Sequence, residues 1–365
     1  MARWQWKPWI MALLLPMITG CWDQRPIEQE AIVVGMGVTR NHQWTMVFPN
    51  VAVSVGSLTG IPPSQQFYSV TVKAKTWPQA LEEAQAAIDR NISFGELQVL
   101  ALDRHLQTPS VAKIVDALNA MGPIPATFWL MAAQRGPLTL LTRSSPQTIV
   151  PYYYLSTYFD CTNCHAINLD QREWQWWAQS ETPGISPYVP LVVPISGGIT
   201  VRQILVYPPH GSPQLMPITA TTGFAYLTGR VLHAALTVPV ESYKFVLGKV
   251  GESVKVHAHF TSQSVAVHIT IHAHGIIMST PPGVIVTRDM EEIASHQAAQ
   301  RIAAESLTAI RWANETHTDP FGFAKSAAWA HPILAAQFSP EQLTQLPIHA
   351  QVTVKFQVLG EGVSR

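Results

Sequence analysis

Two cysteines and a histidine lie close together in the segment CTNCH at residues 161–165. Their spacing is that of a c-type haem attachment site, in which the two thiols bond the haem vinyl groups and the imidazole of His165 binds the iron. The same spacing permits a tight disulfide between Cys161 and Cys164, or a thiol pair with a redox role. Because c-type haems usually lie in compact helical domains and this segment lies between two predicted sheet-containing regions, we predict a structural thiol pair without haem.

Five histidines form the second group of residues that could do chemistry. They are His257, His259, His268, His272 and His274. Each alternates with apolar neighbours, so a hairpin of residues 254–260 and 265–274 would place all five on one surface. Imidazoles bind zinc, copper or nickel, but the same alternation is expected wherever one side of a hairpin faces solvent. We therefore predict no metal site here, and we expect the cluster to change its charge below about pH 6.5.

The third cysteine, Cys21, follows a targeting pattern. Two basic residues precede an apolar run of ten residues, 9–18, which is shorter than the roughly 20 residues that span a bilayer. The run ends in Ile-Thr-Gly-Cys at 18–21, which is the lipobox pattern of bacterial lipoproteins. We expect cleavage between Gly20 and Cys21, so that residues 1–20 are a signal peptide and Cys21 becomes a lipidated N-terminus.

The expected lipid also predicts the compartment. A diacylglyceryl group on the Cys21 sulfur supplies two acyl chains, and two chains hold a protein on a membrane where one gives only marginal binding. We therefore expect a protein anchored on the outer face of the cytoplasmic membrane. The covalent lipid is the only prosthetic group that the sequence predicts.

The composition of the chain argues against several function classes. Of its 365 residues, 47% are hydrophobic and 13% are charged, and the formal net charge is zero, whereas typical soluble domains are about 25% charged. Lysine and arginine form no run in the sequence, so a nucleic-acid partner has no electrostatic footprint. The sequence also lacks the motifs of a serine nucleophile elbow, a zinc protease or a phosphate loop. We predict that the protein is not an enzyme.

Strands and helices alternate in the first part of the chain, which predicts an α+β domain over residues 21–148. The predicted strands are apolar runs or alternating segments at 31–38, 44–53, 67–75, 97–102 and 127–133. One helix is predicted after a capping box of Thr76 and Gln79. A second helix is predicted to be capped by Ser110.

Two further regions complete the predicted organisation. Residues 149–215 are rich in Pro, Trp and Tyr, which predicts a middle subdomain or a structured connector. Residues 216–365 predict an α+β domain in which an antiparallel sheet, formed by 222–237, the histidine hairpin and a final strand, packs against one long helix capped by Asp289 and Glu292. The predicted fold class is α+β, with several mixed α/β subdomains.

Four segments of the chain carry a recognisable family pattern. They are GCWDQRPIEQEAIVVGMGV, GELQVLALDRHLQ, TTGFAYLTGRVLHAALTVPVESYKFVLGK and DPFGFAKSAAWAHP, in that order. In these segments the chain resembles the Ger(x)C lipoproteins, the C subunits of spore nutrient germinant receptors. In the last segment Asp319, Gly322 and Phe323 match the family pattern.

The resemblance implies a lipid-anchored α+β protein that is not an enzyme. It also implies assembly with two integral-membrane partners, the A and B subunits, in the spore inner membrane, where a nutrient ligand would act on this subunit only indirectly. An alternative is a lipid-anchored extracytoplasmic solute-binding protein, because the aromatic-rich residues 149–190 could line a small-molecule pocket. A haem or redox protein based on CTNCH is the third hypothesis.

Overall fold

The computed structural model describes residues 26–50, 67–121, 124–143, 151–161, 163–261 and 263–361. The predicted signal peptide, its cleavage site and Cys21 lie outside these described residues, as does the end of the predicted strand 44–53. Within the described residues the chain forms two larger β-sheets that pack against helices.

The larger sheet is built by the first 215 residues. The strands described up to that point are β1 (Glu30–Ile32), β2 (Gly35–Val38), β3 (Gln43–Pro49), β4 (Phe67–Lys73), β5 (Asn91–Ser93), β6 (Val99–Asp103), β7 (Trp129–Ala133), β8 (Tyr188–Ile195), β9 (Gly198–Val206) and β10 (Gln214–Leu215). β1 and β5 form a separate parallel pair, and the other eight form one sheet in the order β10-β9-β8-β7-β6-β2-β3-β4. The neighbours β2, β6, β7 and β8 run parallel at its centre.

Helices cover both faces of this sheet, which explains why its central strands are continuously apolar. The helices are α1 (Trp77–Ala86), α2 (Thr108–Asn119), α3 (Pro137–Leu141), α4 (Pro151–Asp160) and α5 (Glu173–Ser180). In β6, Leu100 and Leu102 join the core under α1 and α2. Val99 and Ala101 alternate with them and join the core under α3 and α4.

Two helix starts differ from the predictions. Helix α2 begins after Gln107 instead of after Ser110, and Pro109 lies in its first turn. Proline has no N–H to leave unpaired and its fixed φ suits the first turn, which explains the earlier start. Thr76 does precede α1, but its side chain makes no capping hydrogen bond, so the capping box with Gln79 is not formed.

Residues 149–215, predicted to be a middle subdomain or connector, share the large sheet. Their strands β8 to β10 pair with one another and, through β8, with β7. Their larger aromatic side chains are mostly core residues, and Phe159, Trp176 and Tyr188 are buried. This stretch therefore continues the sheet of the N-terminal residues instead of forming a sheet of its own.

The remaining residues form a four-stranded sheet packed with helices. The elements are α6 (Ile218–Thr228), β11 (Ala234–Val240), β12 (Tyr243–Phe260), β13 (Val265–Ser279), α7 (Arg288–Glu315), α8 (Phe323–Ala330), α9 (Pro332–Ala335), α10 (Pro340–Gln345) and β14 (Ile348–Glu361). The sheet order is β11-β12-β13-β14. The predicted α+β class is confirmed, but β14 runs parallel to β13 instead of antiparallel, because the helices between them carry the chain back across the sheet.

Helix α7 is the predicted long helix and has 28 residues. Its N-cap is Thr287, whose hydroxyl accepts a hydrogen bond from the Met290 N–H at 3.3 Å, so the predicted cap at Asp289 is wrong by two residues. The buried face consists mainly of small residues, namely Ala294, Ala298, Ile302, Ser306, Ala309, Ile310 and Ala313. Leu307, which belongs to the predicted apolar stripe, is 40% exposed.

Residues 218–228 form helix α6, whereas the sequence predicts a strand from residue 222. Its residues are buried on almost every side, so no polar face interrupts the apolar run and the helical period is hidden. Gly223 lies against α7, and a β-carbon placed there would be 2.0 Å from the Glu305 carbonyl oxygen. Only glycine permits this close approach of two helix backbones.

Candidate functional site

The CTNCH segment lies directly after α4. Cys161 and Cys164 are joined by a disulfide. The ring of His165 stacks on Tyr158 with the ring centroids 4.0 Å apart, and its Nε2 lies 2.9 Å from the Tyr158 carbonyl oxygen. Since the two sulfurs and the imidazole all have protein partners, the geometry favours the structural interpretation of this segment.

We expect the native protein to carry no covalent haem on this segment. Thioether attachment would need both sulfurs free, and here they bond each other. A visible absorption spectrum of the protein purified from its host should therefore lack the intense Soret band of haem. A Soret band that survives denaturation, and that is lost in a Cys161→Ser variant, would overturn this expectation.

The five histidines lie on the solvent-exposed face of the β12–β13 hairpin. His257 is the register partner of His268, and the rings of His259 and His268 are 6.0 Å apart. β14 extends the same surface and places Gln351 beside His268. Within the described part of the chain, no three His, Cys, Asp or Glu residues are grouped so that they could hold a metal ion. The absence of a metal site stays a prediction.

Glu252 lies on the opposite face of β12, the one that packs against the helices. Its Oε1 accepts a hydrogen bond from the Val231 N–H at 3.1 Å, while its Oε2 has no hydrogen-bond partner among the described residues. Burial raises the pKa of Glu252 to about 8, although the hydrogen bond from Val231 acts in the other direction. A carboxyl group with this pKa is mostly protonated at neutral pH.

A Glu252→Gln substitution is expected to flatten the pH dependence of stability between about pH 4.5 and 8. In that range folded Glu252 holds a proton that the unfolded chain releases, so the free energy of unfolding falls as pH rises, by about 1.4 kcal/mol per pH unit at most. Urea unfolding across this range measures the slope. Glu83→Gln, at an exposed position of α1, is the control. Equal slopes for wild type and Glu252→Gln would contradict the assignment.

Asp319 joins the start of α8 to Ser186, which lies two residues before β8. Its carboxylate accepts three backbone N–H groups, from Phe321 at 3.1 Å, Gly322 at 2.9 Å and Ala324 at 2.8 Å. Its own N–H donates to the Ser186 hydroxyl at 3.0 Å, and its carbonyl oxygen accepts the Ser186 N–H at 2.8 Å. Burial raises the pKa of Asp319 to about 7, against the effect of the three N–H donors. Gly322 has a φ of +73°, which favours glycine.

A cavity of about 690 Å³ opens at the carboxyl ends of the parallel strands β2 and β6. Ligands commonly bind at this edge of open α/β sheets. Its apolar floor is formed by Trp44, Trp77, Leu106 and Ile114, all of which are buried. Its walls come from the β2–β3 turn, the start of α1, the segment from β6 into α2, and residues 212–213.

Four basic side chains line this cavity, which we call the basic cavity. They are Arg40, Lys75, Arg104 and Lys113. The sequence does not reveal these four side chains as a group, because they are isolated along the chain and the net charge is zero. The available signal is their position: Arg104 follows β6 directly, and Lys75 lies two residues before α1.

Most of the described aromatic side chains of 149–190 pack in or against the cores. Among the described side chains of this stretch, Tyr153, Trp174 and Trp177 are the large exposed aromatics. Tyr153 lines a cavity of about 490 Å³ together with Trp129 and Arg172, and the Arg172 guanidinium lies 3.6 Å from the Trp129 ring centroid. Most of the other aromatic rings fill the core. The structure therefore gives no support to the idea that the aromatic residues of 149–190 line a pocket for a solute.

Among the described residues, every helix is too short or too polar to cross a lipid bilayer.

Two family models match the chain in succession. The model described as "Spore germination protein N-terminal domain" matches residues 23–194. The model described as "Spore germination B3/ GerAC like, C-terminal" matches residues 216–360. Together they cover most of the chain, in the order of the four segments that carry the resemblance.

A curated relative and a solved structure are also similar to this chain. Spore germination protein B3 of Bacillus subtilis (strain 168) is 23% identical over 147 residues, which is 39% of this chain and 38% of that protein. The aligned part thus spans well under half of that relative. The structure titled "Crystal Structure of the GerBC protein" matches with a TM-score of 0.58 and 11% identity, over 89% of this chain and 96% of that chain. At this identity the match shows a shared fold.

Proposed function

The chain belongs to the GerAC-like family of spore germination proteins, and from this membership we propose that it is the lipid-anchored C subunit of a nutrient germinant receptor. In this proposal it assembles with integral-membrane A and B subunits in the spore inner membrane and stabilises the assembly that signals germination. The observation that carries the proposal is the ordered match of the two family models. The proposed role is non-enzymatic.

An exposed apolar patch supports a docking role. Trp329 at the end of α8 is 74% exposed, and Ile333 and Leu334 in α9 are 84% and 43% exposed. Contiguous exposed apolar residues commonly mark protein or membrane contact sites. The patch begins at the end of α8, whose residues Phe323, Ala324 and Ala327 are buried in the core of the C-terminal sheet.

A Cys21→Ala variant is expected to leave the membrane fraction while keeping its fold. The proposed anchor is the lipid on Cys21, and the described cores begin only at Ala31. Fractionation of spores by centrifugation, followed by immunoblotting, measures the distribution. Mass spectrometry of the wild type should show an N-terminus at a modified Cys21. A variant that remains in the membrane, together with an unmodified wild-type Cys21, would contradict the anchor.

Deletion of the gene in the spore-forming host tests the receptor function. We expect loss of germination in response to one class of nutrient, with other responses and vegetative growth intact. Complementation with the wild-type gene should restore the response, whereas the Cys21→Ala gene should restore it poorly. Unchanged germination with every nutrient, in a strain that lacks paralogous receptors, would count against the proposal.

A further inference from the structure

We propose that the basic cavity binds a small organic oxyanion with at least two negative charges, either a phosphate ester or a compound with several carboxylates. The inference does not depend on assembly with receptor subunits. It rests on the charge of the cavity, on the donors that surround it and on its apolar floor.

The charged side chains that line the basic cavity are all positive. None of the four basic side chains takes part in an ion pair within the described part of the chain, and none of the lining residues is acidic. The nearest carboxylate along the chain belongs to Asp103, at the end of β6, and it accepts the backbone N–H groups of Arg40 at 3.5 Å and His105 at 2.9 Å. A concave site lined by unpaired cations concentrates anions, and a neutral chain has no general surplus of cations to place there.

The hydrogen-bond donors surround the cavity from several elements. Arg40 lies in the β2–β3 turn, Arg104 follows β6, and Lys113 lies on α2. The side chain of Arg104 is already oriented, since its Nε donates to His105 Nε2 at 3.0 Å, which leaves its terminal nitrogens for a ligand. The guanidinium fork matches carboxylate and phosphate oxygens in pairs, while lysine supplies a point charge.

Two helix N-termini add to the positive potential. The first residues of α1 and the first turn of α2 both line the cavity, where Thr76, just before α1, and Ser110, in α2, offer hydroxyl groups. The N-terminal end of a helix carries a partial positive charge and free N–H groups. These ends reinforce the four side chains, which carry the argument.

The floor and the size of the cavity indicate an organic ligand instead of a bare inorganic ion. Trp44, Trp77, Leu106 and Ile114 present apolar surface below the ring of cations. The volume of about 690 Å³ lies within the range of small-molecule sites, about 300–1,000 Å³. An apolar body would contact the floor while its anionic groups meet the cations at the walls.

Calorimetry with the full-length protein in neutral detergent tests the proposal. The probes are phenyl phosphate and citrate, with glucose and alanine as uncharged and zwitterionic controls. We expect one-to-one binding of at least one of the two oxyanions, weakened by added salt, and no heat from the controls. Binding of short-chain phosphatidic acid, compared with binding of short-chain phosphatidylcholine, tests whether a lipid headgroup supplies the oxyanion.

The double variant Lys75→Gln/Lys113→Gln should weaken oxyanion binding by about tenfold or more, since each removes a charged donor. The matched control is Lys244→Gln/Lys355→Gln, which removes two exposed lysines from the C-terminal sheet and should bind like wild type. All four sites are exposed, so both proteins should fold, and circular dichroism checks this. Preference for phosphatidic acid over the soluble anions, lost only in the first variant, would identify a headgroup as the ligand. No oxyanion binding by the wild type, or equal losses in both variants, would overturn the proposal.

Discussion

Replacing Gly223 by alanine is expected to lower the free energy of unfolding by about 3 kcal/mol or more. The added β-carbon would lie 2.0 Å from the Glu305 carbonyl oxygen and 2.9 Å from the Ser306 nitrogen. Both atoms belong to the α7 backbone, so relief requires the two helices to separate. Alanine is favoured over glycine in a helix by about 1 kcal/mol, which is too little to offset the clash.

The matched control for this clash is Gly95→Ala. Gly95 lies in a loop, and the nearest atom to an added β-carbon would be the Ser93 hydroxyl at 4.0 Å. Urea unfolding followed by circular dichroism compares the two variants. If Gly223→Ala is as stable as Gly95→Ala, the close contact of α6 and α7 is not as described.

Replacing Asp319 by alanine is expected to cost about 3 kcal/mol or more, because three backbone N–H groups lose their acceptor in a buried place. The loss should loosen the start of α8, because the three donors lie there, whereas the two hydrogen bonds to Ser186 use the Asp319 backbone and remain in the variant. Asp319→Asn keeps one side-chain oxygen and should lose less. Unfolding in urea gives the free energies, and limited proteolysis near α8 reports local release.

Asp289→Ala is the control for Asp319→Ala. Asp289 lies in the exposed first turn of α7 and is not its cap, so its loss should cost only a few tenths of a kcal/mol by weakening the interaction with the helix dipole. If both alanine variants lower the free energy of unfolding equally, the described hydrogen bonds of Asp319 do not stabilise the fold as expected.

The sequence predicts most clearly those strands that bury one face in the core and expose the other face to solvent. The histidine hairpin alternates strictly because β12 and β13 meet solvent on one side, and β14 shows the same alternation. The central strands of the large sheet were also recognisable, since helices on both faces require continuous apolar runs.

The wrong predictions concern one helix that is buried on almost every side and the first residues of two other helices. Helix α6 has no polar face, so its apolar run around Gly223 does not show the helical period and resembles a strand. Two helix starts differ because neighbouring residues favour an earlier start: α2 begins after Gln107 with Pro109 in its first turn, and α7 begins after Thr287, whose hydroxyl caps it.

The basic cavity could not be predicted because its residues meet only in the folded chain. Its lining runs from Val38 to Pro213, and no two of its four cations are closer than nine positions in the sequence. Strand order brings the ends of β2 and β6 together, and single-sequence patterns do not specify that order. Asp319, by contrast, lies in a segment that the family resemblance had already marked.

Affinity purification from spore membranes tests the central claim most directly. The tagged full-length protein, solubilised in mild detergent and identified with its partners by mass spectrometry, should bring down one A and one B integral-membrane subunit in near-equal amounts. The Cys21→Ala protein should recover far less of both. Purification of the wild-type protein free of both subunits, from spores in which those subunits are present and soluble in the same detergent, would contradict its assignment as a receptor subunit.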